Sequence, residues 1–230
     1  MKENTEKEIR DHSIRDFPRE ACGFIIKKGS AEVCFPCKNI AEHSVSQFII
    51  SPEDYLKAKE EGDILAIYHS HSTGGPSQAD KASCEKTGLP WYVYSNGKIH
   101  ELYPAGVRIP LLGRKFVWGT FDCWTLVRDY YEYNLNIILP DFNYEEKFWE
   151  KGINMYLDNY EKAGFAKVDI PQEYDALLFQ MNSRIPNHAA VLLGDNRIIH
   201  HMSNRLSCRD IYGGYWKFVT VGIYRHEKFR

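Results

Sequence analysis

The chain has 230 residues, 43% of them apolar or aromatic and 26% charged, which is enough interior for one large domain or two of roughly 100 residues each. Its 29 lysines and arginines stand against 31 aspartates and glutamates for a net charge of −2, excluding the strongly basic footprint of a nucleic-acid binder. No window approaches the ~18 consecutive apolar residues of a spanning helix, and the charged start MKENTEKEIRDHSIRDF is unlike a secretory leader, so neither membrane insertion nor export by a leader is expected.

In chain order, the apolar run 22–27 (CGFIIK) has the length of a strand, and 52–61 (PEDYLKAKEE) reads as a helix capped by Ser51. The run 64–68 (ILAIY) is a second strand, and 91–95 (WYVYS) a third that turns at Asn96-Gly97 into 98–102. Two prolines and a glycine within 102–110 read as a linker, which places a boundary between residues 1–106 and 107–230. Beyond it, 124–131 (WTLVRDYY) carries apolar residues at helical spacing and 144–162 reads as a longer, charged helix. Strands follow at 176–180, 189–193, 197–201 and 218–224. The first half is thus expected to be α/β, and the second α+β with an antiparallel sheet.

Strand 64–68 runs directly into His69-Ser70-His71, and residues two apart in an extended chain face the same side, so both imidazoles can grip one metal ion. In the stretch HSHSTGGPSQAD the Gly74-Gly75-Pro76 turn lets Asp80 return as a third, oxygen ligand. Two histidines and a carboxylate leave zinc one open position, the arrangement of a hydrolytic site. Glu20, just before the first strand, is a candidate base for a metal-bound water. The plainer alternative is that Ser77-x-x-Asp80 is only a capping box opening a helix, His-Ser-His a polar surface segment and Glu20 a solvated carboxylate.

Taken in order, Glu20, the strand ending in His-Ser-His, and Ser77-x-x-Asp80 resemble the JAMM (MPN-type) metalloprotease signature. The resemblance implies zinc (Zn2+) held by His69, His71 and Asp80, Glu20 as base, and Ser77 assisting the tetrahedral intermediate. Ser72 stands where the family usually has proline, and the interval from His71 to Ser77 is about two residues shorter.

In FVWGTFDCWTLVRDYY, Trp118-Gly119 is a turn and Cys123 stands in the first turn of an amphipathic helix, whose positive end favours a thiolate. Further on, NHAAVLLGDNRIIH reads as a hairpin that, if centred on Gly194, sets His188 beside His200. One imidazole would then activate Cys123 and the other orient it. His201 competes as orienter, but His200 shares the strand parity of His188 and is preferred. The alternative for Cys123 is a small buried hydrophobe.

Asp122-Cys123-x-x-Leu126-Val127 followed by His188 and His200 resembles the NlpC-type papain-like cysteine peptidases of cell walls. That implies Cys123 as nucleophile, His188 as base, His200 as orienter, and peptidoglycan stem peptides as substrate. The tyrosine that family often carries ahead of the glycine turn is replaced here by Phe116 or Trp118, so the Cys123 backbone N–H would have to serve the oxyanion.

The six cysteines are too few and irregular for a disulfide scaffold, which suggests synthesis in a reducing compartment. Cys34-Phe35-Pro36-Cys37 is a lone CxxC without the second pair a zinc ribbon needs, and the charged stretch 145–162 is either a docking surface or, more commonly, a solvated face.

A JAMM-like half fused to an NlpC-type half is similar to the tail assembly protein K family of lambda-like bacteriophages, a likeness that extends to the late DIYGGYWKFVTVGIYRH. It implies a hydrolase made in the host cytoplasm and carried at the virion tail tip to the host cell wall, with other phage tail-tip proteins as partners. A non-catalytic tail-tip assembly component is the rival reading. Preferential labelling of Cys123 near neutral pH would separate the two. A cellular isopeptidase acting on ubiquitin-like tags is suggested by the first half alone and leaves the second unexplained.

Overall fold

A computed structural model describes residues 2–230, and the chain divides into two compact units, Met1–Ile109 and Pro110–Arg230. Among the described residues no helix is long and apolar enough to cross a membrane.

The first unit runs α1 (Glu3–Asp16), β1 (Cys22–Lys28), β2 (Ala31–Cys37), α2 (Pro52–Glu61), β3 (Asp63–Ser70), α3 (Gln78–Thr87), β4 (Trp91–Ser95) and β5 (Lys98–Leu102). The strands form one sheet in the order β2-β1-β3-β4-β5, antiparallel except where β4 lies parallel to β3. Helix α1 was not legible in the sequence because its buried face, Thr5, Ile9, His12 and Ser13, has helical spacing but little apolar content. His12 is matched to that burial by its Nδ1, 2.7 Å from the Tyr68 hydroxyl. Strand β2 holds the CxxC, and residues three apart in a strand face opposite sides. Accordingly Cys37 joins the cluster around Phe24 and Ile26 while Cys34 packs with Ile25 and Tyr68, and all six cysteines are free.

The second unit contains α4 (Cys123–Leu135), β6 (Phe165–Val168), β7 (Ala176–Phe179), β8 (His188–Leu193), β9 (Arg197–His200), β10 (Cys208–Ile211), α5 (Tyr215–Val219) and β11 (Thr220–His226). Its sheet is antiparallel throughout, in the order β10-β9-β8-β7-β11-β6, and α4 packs on it through Cys123, Leu126, Val127, Tyr130 and Tyr131. Mixed α/β and antiparallel α+β units are what the patterning predicts.

Two expected elements differ. Residues 144–162 form no long helix: one short 3-10 turn, Phe148–Lys151, is flanked by Lys147 and Gly152 in the left-handed region (φ 52° and 79°), and turns follow. Phe148, Met155 and Tyr156 have the spacing of one helix face and all enter the α4 cluster, but Gly152 in the left-handed region ends the turn after Lys151. The strand expected at 218–224 begins at Thr220, because Tyr215–Val219 closes into a helical turn that leaves Trp216 against His200.

Candidate functional sites

In the first unit, the β1–β3 register pairs Cys22 with His69, so continuing it by two residues sets Glu20 opposite His71. Ser70, between the two histidines, holds that extension in place. Its Oγ accepts from Ala21 N–H at 2.9 Å, and its own N–H donates to Ala21 C=O at 2.9 Å. Asn39 closes the other side by donating to the carbonyls of Glu20 (2.9 Å) and Gln47 (2.8 Å).

His69 Nε2 lies 3.0 Å from His71 Nε2 and 3.2 Å from Asp80 Oδ1, and His71 Nε2 lies 3.5 Å from Asp80 Oδ2. A tetrahedral zinc with bonds of about 2.0–2.1 Å separates its nitrogen and oxygen ligands by about 3.3 Å, so these three groups fit its edges with little movement. His71 Nδ1 faces the Gly75 carbonyl at 3.1 Å, so it carries the proton and leaves Nε2 with a lone pair toward the cluster. Phe48 stacks on the His69 ring with centroids 4.6 Å apart, and Trp91 closes its edge.

Asp80 serves two purposes at once. Ser77 caps α3, its Oγ accepting from Asp80 N–H at 3.1 Å while Ser77 N–H donates to Asp80 Oδ2 at 2.5 Å. The capping box and the ligand geometry therefore coexist, and Ser77 keeps its hydroxyl proton free to donate. Burial acts to raise the Asp80 carboxyl, but the bonds from His69 and Ser77 outweigh it and hold the group well below the usual carboxylate range. Glu20 goes the opposite way: burial first, then the charge of Asp80, push it up to about 8. Its Oε1 is 3.8 Å from His71 Nε2, at the rim of the cluster.

In the second unit, Asp122 explains why α4 starts at Cys123. Fully buried, its carboxylate accepts from Thr125 N–H (2.9 Å), Gly119 N–H (2.8 Å) and the Tyr144 hydroxyl (2.6 Å), a capping box with two further donors. Contrary to the expectation of a helix-stabilised thiolate, the Cys123 thiol is pushed up to about 12. Burial is the main cause, with only 6% of the residue exposed, and the neighbouring Asp122 charge adds to it. Desolvation of a sulfur anion outweighs a helix end whose positive charge Asp122 already offsets.

The sulfur's hydrogen-bond partner is Tyr156 Oη at 3.1 Å; among the described residues no hydrogen bond joins it to His188. The Ala189 N–H nevertheless points at the sulfur from β8, one residue beyond His188. Selective labelling of Cys123 at neutral pH is accordingly not expected of the free protein, since Cys34 and Cys37 lie at about 11 and about 12.

The hairpin register pairs Ala190 with His200 and Leu193 with Arg197, which centres the turn on Asp195 rather than Gly194. His188 and His200 are therefore diagonal neighbours on one face, with Nε2 and Nδ1 3.1 Å apart. His201 has the opposite parity and packs edge-on against Phe116. A third group was missed in the sequence: Asp210 on β10 brings Oδ2 to 3.1 Å from His200 Nε2. Burial acts to raise Asp210, but Arg205 and His200 outweigh it and keep the carboxyl below its ordinary value.

An ionised carboxylate only accepts, so the proton order along this line is determined. His200 donates from Nε2 to Asp210 and accepts at Nδ1 from His188 Nε2–H, leaving the lone pair of His188 on Nδ1. Both imidazoles are held neutral, His188 well below the usual histidine value by burial and then by its two histidine neighbours, and His200 lowered by burial. Trp216 packs against both rings.

Tyr156 was also missed, hidden in the stretch read as a charged helix. Its phenol lies within hydrogen-bond distance of the sulfur, and a bond donated from it favours the anion, although burial dominates. Tyr156→Phe is expected to slow alkylation of Cys123 by roughly tenfold or more at pH 8, the loss of one hydrogen bond to a charged group. Peptide mapping with iodoacetamide measures this, and an unchanged or faster rate would exclude the donor role.

Comparison with known proteins bears on both units. The model of the NlpC/P60 family matches residues 113–225, and the model of the prokaryotic homologs of the JAB domain matches residues 2–106. The chain is 39% identical over 237 residues to the tail tip assembly protein K of Escherichia phage N15, covering 100% of this chain and 97% of that one. It is 40% identical over 186 residues to the tail tip assembly protein K of Escherichia phage lambda, covering 79% and 91%. A probable TtuB-protein conjugate cleaving protease of Thermus thermophilus is 28% identical over 114 residues, covering 46% and 76%.

Proposed function

This chain belongs to the family of phage tail tip assembly proteins K, with a JAB-type and an NlpC/P60 domain in one polypeptide, and on that premise we propose a tail-tip peptidase with two centres. In the second unit Cys123 is the nucleophile that cuts stem peptides of host peptidoglycan. In the first, His69, His71 and Asp80 hold zinc, with Glu20 as base and Ser77 as a donor to the intermediate. The protein is made in the host cytoplasm, joins other tail-tip proteins in the virion and acts at the cell wall.

The observation that carries the thiol centre is the line Asp210, His200, His188, which leaves one neutral imidazole with its lone pair on Nδ1 beside the strand that touches the Cys123 sulfur. As sulfur attacks the scissile carbonyl, His188 takes the thiol proton, and His200 with Asp210 stabilises the resulting imidazolium. The Cys123 N–H, in the first turn of α4 where backbone donors have no intrahelical acceptor, is the group set to meet the developing oxyanion. His188 then passes its proton to the leaving amine, and water releases the acyl group from sulfur.

At the first centre zinc supplies a polarised water of pKa about 7 and a Lewis acid. Glu20, held above its ordinary value by burial and the Asp80 charge, would be drawn down by a metal charge beside it and could then accept a proton as the base. Ser77 donates its hydroxyl proton from the start of α3.

One observation favours the rival, a non-catalytic tail component: the free protein's thiol is protonated and bonded to Tyr156 instead of His188. Digestion of purified peptidoglycan by the full chain discriminates. We expect soluble fragments with new amino termini within the stem peptide, identified by mass spectrometry; intact wall would favour the rival.

A further inference from the structure

Beyond the His188 relay, β9 and β10 bring three potential metal ligands to one point. Cys208 pairs directly with His200 across the strands, and Asp210 follows on the same face. His200 Nε2 is 3.6 Å from Cys208 Sγ and 3.1 Å from Asp210 Oδ2, and Cys208 Sγ is 3.9 Å from Asp210 Oδ1. For zinc with bonds of about 2.05 Å to nitrogen or oxygen and about 2.3 Å to sulfur, tetrahedral ligand separations are about 3.3–3.6 Å. His200 meets these values with Cys208 and, within a few tenths of an ångström, with Asp210 Oδ2, while Cys208 faces the other oxygen of Asp210, so a small turn of that carboxylate brings one oxygen to a shared ion. Cys208 and Asp210 are half-buried, so solvent can supply the remaining ligand, and an imidazole with a thiol selects a borderline-soft divalent ion over magnesium or calcium.

We propose that His200, Cys208 and Asp210 form a second zinc-class metal site, and that its occupation switches off the cysteine centre. The second clause rests on the proposed role of His188. A metal on His200 Nε2 displaces the proton there, which leaves to solvent, as does the Cys208 thiol proton. His200 Nδ1 then takes the proton of His188 Nε2, and His188 regains one from solvent on Nδ1. The lone pair that would accept the thiol proton is thereby occupied. Arg205, which holds Asp210 through bonds of 3.1 and 3.2 Å, is exposed and competes with the metal for that carboxylate.

The test uses the full chain and cobalt as a probe, because a thiolate on Co(II) gives a charge-transfer absorption that a site of two histidines and an aspartate cannot give. We expect this band in the wild type and in Cys123→Ala, and its loss in Cys208→Ala. Absence of the band from the wild type, or its survival in Cys208→Ala, would overturn the site, whether or not the protein digests cell wall. For the switch, zinc at ten times its dissociation constant should slow wall digestion about tenfold, reversibly with a chelator. Cys208→Ala should digest wall at the same rate with and without that zinc, whatever its rate without metal. A band without inhibition would leave the site standing and overturn the switch; no digestion by metal-free wild type would instead reject the peptidase reading.

Discussion

Replacing Cys123 by alanine is expected to abolish release of stem-peptide fragments, lowering the rate by at least about 10³-fold while the protein stays folded. The Cys123 sulfur is the nucleophile that forms the acyl bond, and the neighbouring Thr125 hydroxyl is engaged in the capping box with Asp122. The fold should tolerate the change, since α4 is started by Asp122 and Thr125 and not by the thiol. Thermal unfolding of the variant checks that point. Retained digestion would remove Cys123 from the mechanism and leave the metal centre to account for the activity. The pH profile supplies a second readout. Because burial and the neighbouring histidines hold His188 below its usual value, it stays neutral as pH falls through 6.5, and the acid limb should lie below that point. An acid limb at or above 6.5 would contradict a buried neutral base.

Zinc content should respond to the first unit's residues in a set order. His69→Ala and Asp80→Asn are expected to lose the metal from that centre, whereas Glu20→Gln keeps it, because His69, His71 and Asp80 carry the short ligand-to-ligand distances and Glu20 stands at 3.8 Å. Glu20, His69 and His71 can also be grouped as a ligand set, so the comparison decides which carboxylate binds. Asp80 also caps α3, and Ser77→Ala provides the control: it should cost about 1 kcal/mol of stability and leave the metal in place. Metal analysis after dialysis, done in the Cys208→Ala background so that only this centre is read, gives the outcome. Metal retained by both His69→Ala and Asp80→Asn would reject the centre.

Much of both sites could be read from short-range rules. The alternation of His69 and His71 follows from strand geometry, Ser77 and Asp80 announce a helix start, and the shared parity of His188 and His200 holds although the turn is centred one residue later than the sequence suggests. These patterns involve neighbours within a dozen residues, where backbone geometry leaves few choices.

What required the folded chain was every property set by distant partners or by burial. Asp210 reaches His200 through a strand pairing, and Tyr156 reaches Cys123 from a stretch of turns that packs into the α4 cluster where the sequence suggests a charged helix. The protonation of Cys123 is the clearest case. A helix start argues for the anion, but the sulfur lies in a packed core beside Asp122, and removing it from water costs the charged form more than the helix end returns. Local sequence thus names the reactive groups, while the solvent exclusion created by long-range packing sets the charge each one carries.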